Sequence, residues 1–172
     1  MNFLAELARE AVENYIEKGK IIPVPRDFPV EFQKKKAGVF VTIEKHGELR
    51  GCIGTYLPAK ESVAEEIISN SVLAATEDDR FGPIAPEELP HLSYTVYVLS
   101  RPERVTSTQQ LDPRKFGAIV MASAKCGLLL PDLEGVETVE QQLNICCQKG
   151  GIDPMKEKIA IFRFAAQKHA QP

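Results

Sequence analysis

The second half of this chain repeats the first at a fixed spacing, and that repeat restricts the possible folds more than any other feature. A shift of 76 residues (127 − 51) carries Gly51 onto Gly127, Ile53 onto Leu129 and Ser62 onto Thr138. The same shift carries Val63 onto Val139, Glu65 onto Gln141 and Ile67 onto Leu143. Matches that span a glycine, a helix cap and a helix face predict one strand-hairpin-helix unit built twice. In the first copy, Val39 to Ile43 is β-branched and aromatic, and Lys45-His46-Gly47-Glu48 is a tight-turn sequence. A hairpin follows, with LRGCIGT on its second strand. Ser62 to Glu65 fits the S/T-x-x-E capping box and opens a helix to about Ala75. In the second copy, Phe116 to Ala122 pairs with CGLLLP, and Thr138 to Gln141 is another capping box. Each copy closes on a further apolar strand, SYTVYVLS or KIAIFRFAA. The hairpins differ in length, with 13 steps from Gly38 to Gly51 and 10 from Gly117 to Gly127.

The expected fold class is therefore α+β with mostly antiparallel sheets, two similar strand-hairpin-helix repeats and flanking helices. The repeats cover approximately 37–100 and 116–165 of a single domain spanning 1–172. Phe3, Leu4, Leu7, Ala8, Ala11, Val12, Tyr15 and Ile16 recur at helical spacing, which predicts an amphipathic helix over 3–18 ended by Gly19. Pro23, Pro25 and Pro29 predict an extended, hydrogen-bond-poor segment over 20–36. TEDDRFGPIAPEELP reads as a loop. Gly-x-x-Gly in RGCIGT lacks the third glycine of a dinucleotide fingerprint and the Gly-Lys-Ser/Thr of a phosphate loop, so the sequence identifies no cofactor.

Charge narrows the class of partner. A net charge of −3 argues against a nucleic-acid-binding domain, and Lys34-Lys35-Lys36 reads as a solvated loop. The start, MNFLAELAREAVENY, lacks the layout of a signal peptide, and no apolar run approaches membrane-spanning length. A cytoplasmic location is the expectation, with Cys52, Cys126, Cys146 and Cys147 reduced there. No metal site is expected, because His46, His91 and His169 are scattered and no C-x-x-C pair exists.

The candidate chemistry lies in LRGCIGT. Strand alternation puts Arg50 and Cys52 on one face, where a guanidinium beside a thiol would favour the nucleophilic thiolate. These two are the candidate catalytic residues. Gly51 and Gly54 would let a ligand approach the backbone, and Thr55 would supply a hydroxyl. Asp79 and Arg80, from the acidic stretch Glu77-Asp78-Asp79-Arg80-Phe81, complete the candidate ligand-binding set. A competing reading is plain packing: a two-residue His46-Gly47 turn places Cys52 opposite Val41 and Arg50 opposite Ile43, and a cysteine beside a valine commonly packs as a small hydrophobe. The repeat bears on this choice. Arg50-Gly51-Cys52 corresponds to Cys126-Gly127-Leu128, so the glycine belongs to the fold while Arg50 and Cys52 belong to the first copy alone.

LRGCIGT, followed by a helix and DDRFGP, with GLLLPDLEGVETVEQQL in the second half, resembles the AMMECR-one family. Bacterial members of that family are called AmmeMemoRadiSam system protein A. The resemblance is clearest from Ala37 to Ile152 and implies an α+β fold of two similar strand-rich repeats. It implies that Leu49 to Thr55 is a functional motif near a cleft, and it implies a genetic association with a Memo-like protein and a radical S-adenosylmethionine protein, the candidate partners. Radical chemistry would belong to such a partner, since this chain has no C-x-x-x-C-x-x-C cluster ligands. Cys126 stands where the family pattern leads one to expect a basic residue. The two functions to weigh are an enzyme or enzyme component acting on a small anionic ligand, and a non-catalytic adaptor using the same surface.

Overall fold

A computed structural model describes residues 2–172. The chain forms two compact units, Met1–Leu99 with Gln167–Pro172, and Ser100–Ala166. In the first unit, β1 (Val39–Lys45) and β2 (Glu48–Thr55) form the predicted hairpin. His46 and Gly47 at its tip take φ of 53° and 80°. Positive φ at both central residues matches the right-handed twist of the flanking strands. β3 (Leu92–Leu99) pairs antiparallel with β1, and β8 (Ala166–Ala170) joins β3, giving the order β2-β1-β3-β8. Val39, Val41 and Ile43 alternate inward and are fully buried. They meet α1 (Phe3–Lys18) and α3 (Val63–Thr76), which together cover one face of the sheet.

The helix ends follow from side chains. Ser62 Oγ accepts the Glu65 N–H at 3.2 Å, supplying a partner that the first turn of α3 lacks. Glu65 itself accepts from Glu61 N–H rather than closing the predicted box on Ser62. Gly19 adopts φ 66° and donates to Tyr15, ending α1 as expected. The 20–36 segment departs from expectation, because α2 (Val30–Lys34) forms after Pro29. Proline is well suited to a helix start, where its missing N–H costs nothing. The loop after α3 likewise contains a 3₁₀ turn, Pro86–His91.

The second unit has β5 (Gly117–Ala122) and β6 (Lys125–Leu129) as a hairpin, α4 (Val139–Gly150) against it, and β7 (Ala160–Phe164) beside β5. Its outer strand is β4 (Glu103–Val105), so its order is β6-β5-β7-β4. Thr138 and Gln141 make the predicted capping box at 3.0 and 3.1 Å. Cys146 and Cys147 are both buried, and Cys146 Sγ lies 3.5 Å from the Ala118 carbonyl. In each unit the hairpin's first strand is the one that the later strand joins, giving β2-β1-β3 and β6-β5-β7. Among the described residues, no helix is long and apolar enough to cross a membrane.

Candidate functional site

A bulge in β2 sets the geometry of LRGCIGT. Ile43 pairs with Gly51 and Glu44 with Leu49, which leaves Arg50 without a cross-strand partner. The extra residue shifts the register by one, so Cys52 lies opposite Thr42 rather than Val41. A bulge also interrupts alternation and re-aims the side chain it carries. The consequence for Cys52 is a polar neighbour, the Thr42 hydroxyl, 3.3 Å from its sulfur. Thr42 in turn pairs with Thr95, so Cys52, Thr42 and Thr95 make a row across the sheet face opposite α3.

Arg50 is committed elsewhere. Its Nε and Nη2 donate to the two Glu88 carboxylate oxygens at 2.8 and 2.9 Å, and Nη1 and Nη2 reach the Gly82 and Pro83 carbonyls at 3.1 Å. Glu88 also accepts from Lys45 at 3.0 Å and from Ala85 N–H at 2.9 Å. Arg50 holds the Glu88 carboxyl down at about 2, and Glu88 raises Arg50 in return. The Arg50 side chain is only 14% exposed, and four of its five N–H donors are used in pinning the loop before the 3₁₀ turn to the edge of β2. The expectation that Arg50 activates the thiol gives way to a positioning role.

The cation that shares a carboxylate with Cys52 is Arg80. Asp78 is nearly buried, and its Oδ2 accepts the Cys52 backbone N–H at 2.9 Å. The same carboxylate receives Arg80 Nε at 3.0 Å and Nη2 at 2.9 Å. Arg80 hydrogen bonding, aided by the Cys52 N–H, holds the Asp78 carboxyl down at about 2. Arg80 is raised first by its bonds to Asp78, then by the charge of Asp78 and last by an electrostatic interaction with Cys52. Its side chain remains 57% exposed and its guanidinium sits 5.2 Å over the Phe81 ring. Asp78 therefore does two things: it closes the open edge of β2 at the Cys52 N–H, and it holds the half-exposed Arg80 guanidinium on the same carboxylate.

The other predicted residues divide. A Cβ built on Gly51 would collide with the Ala74 carbonyl oxygen, so this glycine lets the end of α3 sit on the strand. Gly54 has the Phe40 ring where its side chain would be, and Phe40 is its cross-strand partner. Neither glycine leaves room for a ligand. Thr55 points to the opposite face from Cys52, toward α3, where its hydroxyl meets Glu66 at 3.3 Å and Asn70 at 3.4 Å. Asp79 is exposed and stands outside the Asp78–Arg80 pair. The chain thus gathers Cys52 and Arg80, and it sends Arg50, Gly51, Gly54 and Thr55 to structural positions. Asp78 and Glu88 are the residues that sequence reasoning missed. Asp78 carries one legible signal, an Asx turn in which it accepts the Arg80 N–H at 3.2 Å. Glu88 carries none, since it lies 38 residues from Arg50.

Known proteins share this arrangement of sequence and fold. The chain is 47% identical over 163 residues to a Thermotoga maritima protein, covering 94% of each. It is 43% identical over 167 residues to a Clostridium acetobutylicum protein, covering 96% of this chain but 35% of that longer one. A crystal structure of an uncharacterized protein from Pyrococcus horikoshii superposes with a TM-score of 0.91 at 34% identity, covering 97% of this chain and 89% of the other. The AMMECR1 family model matches residues 5–169, taking in both hairpins, both long hairpin helices and the Asp78–Arg80 clasp. This chain belongs to the AMMECR1 family.

Proposed function

We propose that the chain is an enzyme or enzyme component in which the Cys52 thiol acts on a small anionic ligand held by Arg80. The observation that carries this reading is the shared carboxylate: Asp78 grips both the Cys52 N–H and the Arg80 fork. Asp78 takes one edge of the guanidinium, and Nη1 is left to meet an anion. A cation held on the same carboxylate as the Cys52 N–H would also favour the thiolate, the nucleophilic form. Alkylation of Cys52, read by peptide mass spectrometry, tests the assignment. Iodoacetate is anionic and iodoacetamide neutral, so the ratio of their rates reports the cation. Arg80→Ala should lower that ratio roughly tenfold, the effect of about 1.4 kcal/mol of lost attraction. A ratio unmoved by the change, or a Cys52 that reacts only in denaturant, would sink the proposal.

A second reading is favoured by Arg80 stacked on Phe81, a residue 38% exposed. Arginine and aromatic side chains anchor protein interfaces. On this reading the same surface docks the Memo-like and radical S-adenosylmethionine proteins that the family resemblance implies, and the chain is an adaptor. Capture of those partners by the wild-type chain and by Arg80→Glu separates the two. Binding lost on charge reversal supports the adaptor; binding unchanged removes this surface from it. Arg50→Glu is the wrong probe, because it would set a second carboxylate against Glu88.

A further inference from the structure

The first unit holds a pocket remote in character from the thiol surface. It has a volume of about 340 Å³, within the range of small-ligand sites. One wall is the proline-bearing segment, with Ile21, Pro23 and Val24; the other is α3, with Ile68, Val72 and Leu73. Ile21 is 67% exposed and Leu73 38%, so the protein leaves apolar surface on both walls in water. Aliphatic side chains on two walls of a concavity offer apolar surface that a hydrocarbon ligand would cover. The wall is stiff, since prolines at 23 and 25 fix φ and restrict the residues before them. A preformed apolar wall lowers the ordering cost of binding.

The polar groups decide the ligand class. Lys60, Glu65 and Ser69 are the only polar side chains lining the pocket. Glu65 has its carboxylate turned to the Glu61 N–H at 3.3 Å, in the first turn of α3. Lys60 forms no ion pair among the described residues, while neighbouring Lys36 pairs with Glu61 at 2.8 Å. Lys60 lies two residues before the Ser62 cap of the 14-residue α3, and the dipole of that helix also favours an anion at its start. We infer that this pocket binds a small amphipathic carboxylate, with its hydrocarbon body between Ile21 and Leu73 and its carboxylate on Lys60. The site is independent of the thiol surface and needs neither Cys52 nor Arg80.

Decanoate is a suitable probe, with decyltrimethylammonium as the matched cation, followed by ¹H–¹⁵N chemical-shift titration of the full chain. Saturable shifts confined to residues 21–24 and 60–73, with the cation binding at least tenfold more weakly, are the expected result. Lys60→Glu should weaken decanoate roughly tenfold, and Ser69→Phe, which fills the pocket, should abolish the shifts. Each variant is first matched to wild type by its unperturbed spectrum in the second unit, so a folding failure is recognised as such. Equal binding of the two amphiphiles, no effect of Lys60→Glu in a folded chain, or shifts centred elsewhere would each overturn the inference.

Discussion

The two hairpin-helix units solve one packing problem with the same device and then diverge. In both, a glycine on the second hairpin strand lets a helix backbone rest on the sheet: Gly51 against Ala74, Gly127 against Cys146. In both, a helix residue with a buried polar end lies beneath the hairpin. Glu66 accepts from Thr55 and Ala59, while Gln142 donates to the Phe116 carbonyl at 2.8 Å. The difference lies on the strand. Where the first unit has Cys52, clasped by Asp78 beside Arg80, the offset of 76 (128 − 52) puts Leu128 in the second. Geometry common to both units belongs to the architecture; what only the first possesses is the candidate chemistry.

The largest expected effect tests the common part. Gly127→Ala and Gly51→Ala each push a Cβ into a helix carbonyl, which is backbone and cannot swing aside. Each should cost about 3 kcal/mol in urea unfolding, the scale of overpacking a tight contact. Tolerance at one position with loss at the other would break the equivalence of the two glycines.

Next comes the difference in ion pairing. Glu88→Ala leaves Arg50, 14% exposed, without its carboxylate and should cost about 2 kcal/mol, most of it an uncompensated charge. A surface pair of the second unit, Lys125–Glu157 at 2.9 Å, has a lysine 49% exposed. Lys125→Ala should leave the urea midpoint unmoved, because exposed pairs contribute little. An equal loss from both would erase the contrast.

Acid should separate the units in the same sense. Asp78 and Glu88 have folded values of about 2 against ordinary values of 3.8 and 4.5. The unfolded chain therefore binds protons that the folded one refuses, so their contribution is present above about pH 4.5 and is lost as pH falls toward 2. Hydrogen exchange at pH 5 and pH 3, corrected for intrinsic rates, should show β1–β3 losing more protection than β5–β7. Asp78→Asn should flatten part of that loss.

The smallest effect sharpens the contrast between cysteines. Burial pushes the Cys146 thiol up to about 12, so in the folded chain at pH 8 it should resist iodoacetamide while Cys52 is labelled. Peptide mass spectrometry reads both sites at once, and labelling of Cys146 at the rate of Cys52 would contradict the assignment.

The sequence alone determined the α+β class, the two hairpins and the long helices with their Ser62 and Thr138 caps. These follow from local periodicity, turn chemistry and a repeat, all of which are written in neighbouring residues. It also drew attention to the right strand, although Gly51, placed in the ligand-binding set, turned out to be a packing contact with Ala74. What only the tertiary structure decided is which cation shares a carboxylate with Cys52. Arg50 stands two residues from Cys52 in sequence, yet a bulge re-aims it onto Glu88, 38 residues away. Arg80 arrives from the far end of α3 because Asp78 must cap the edge of β2. Thr55 is lost to the opposite face by the parity of the strand, and Gly54 to the Phe40 ring laid over it. Ion pairs and edge caps join residues that loops bring together, and loop paths carry no period to read.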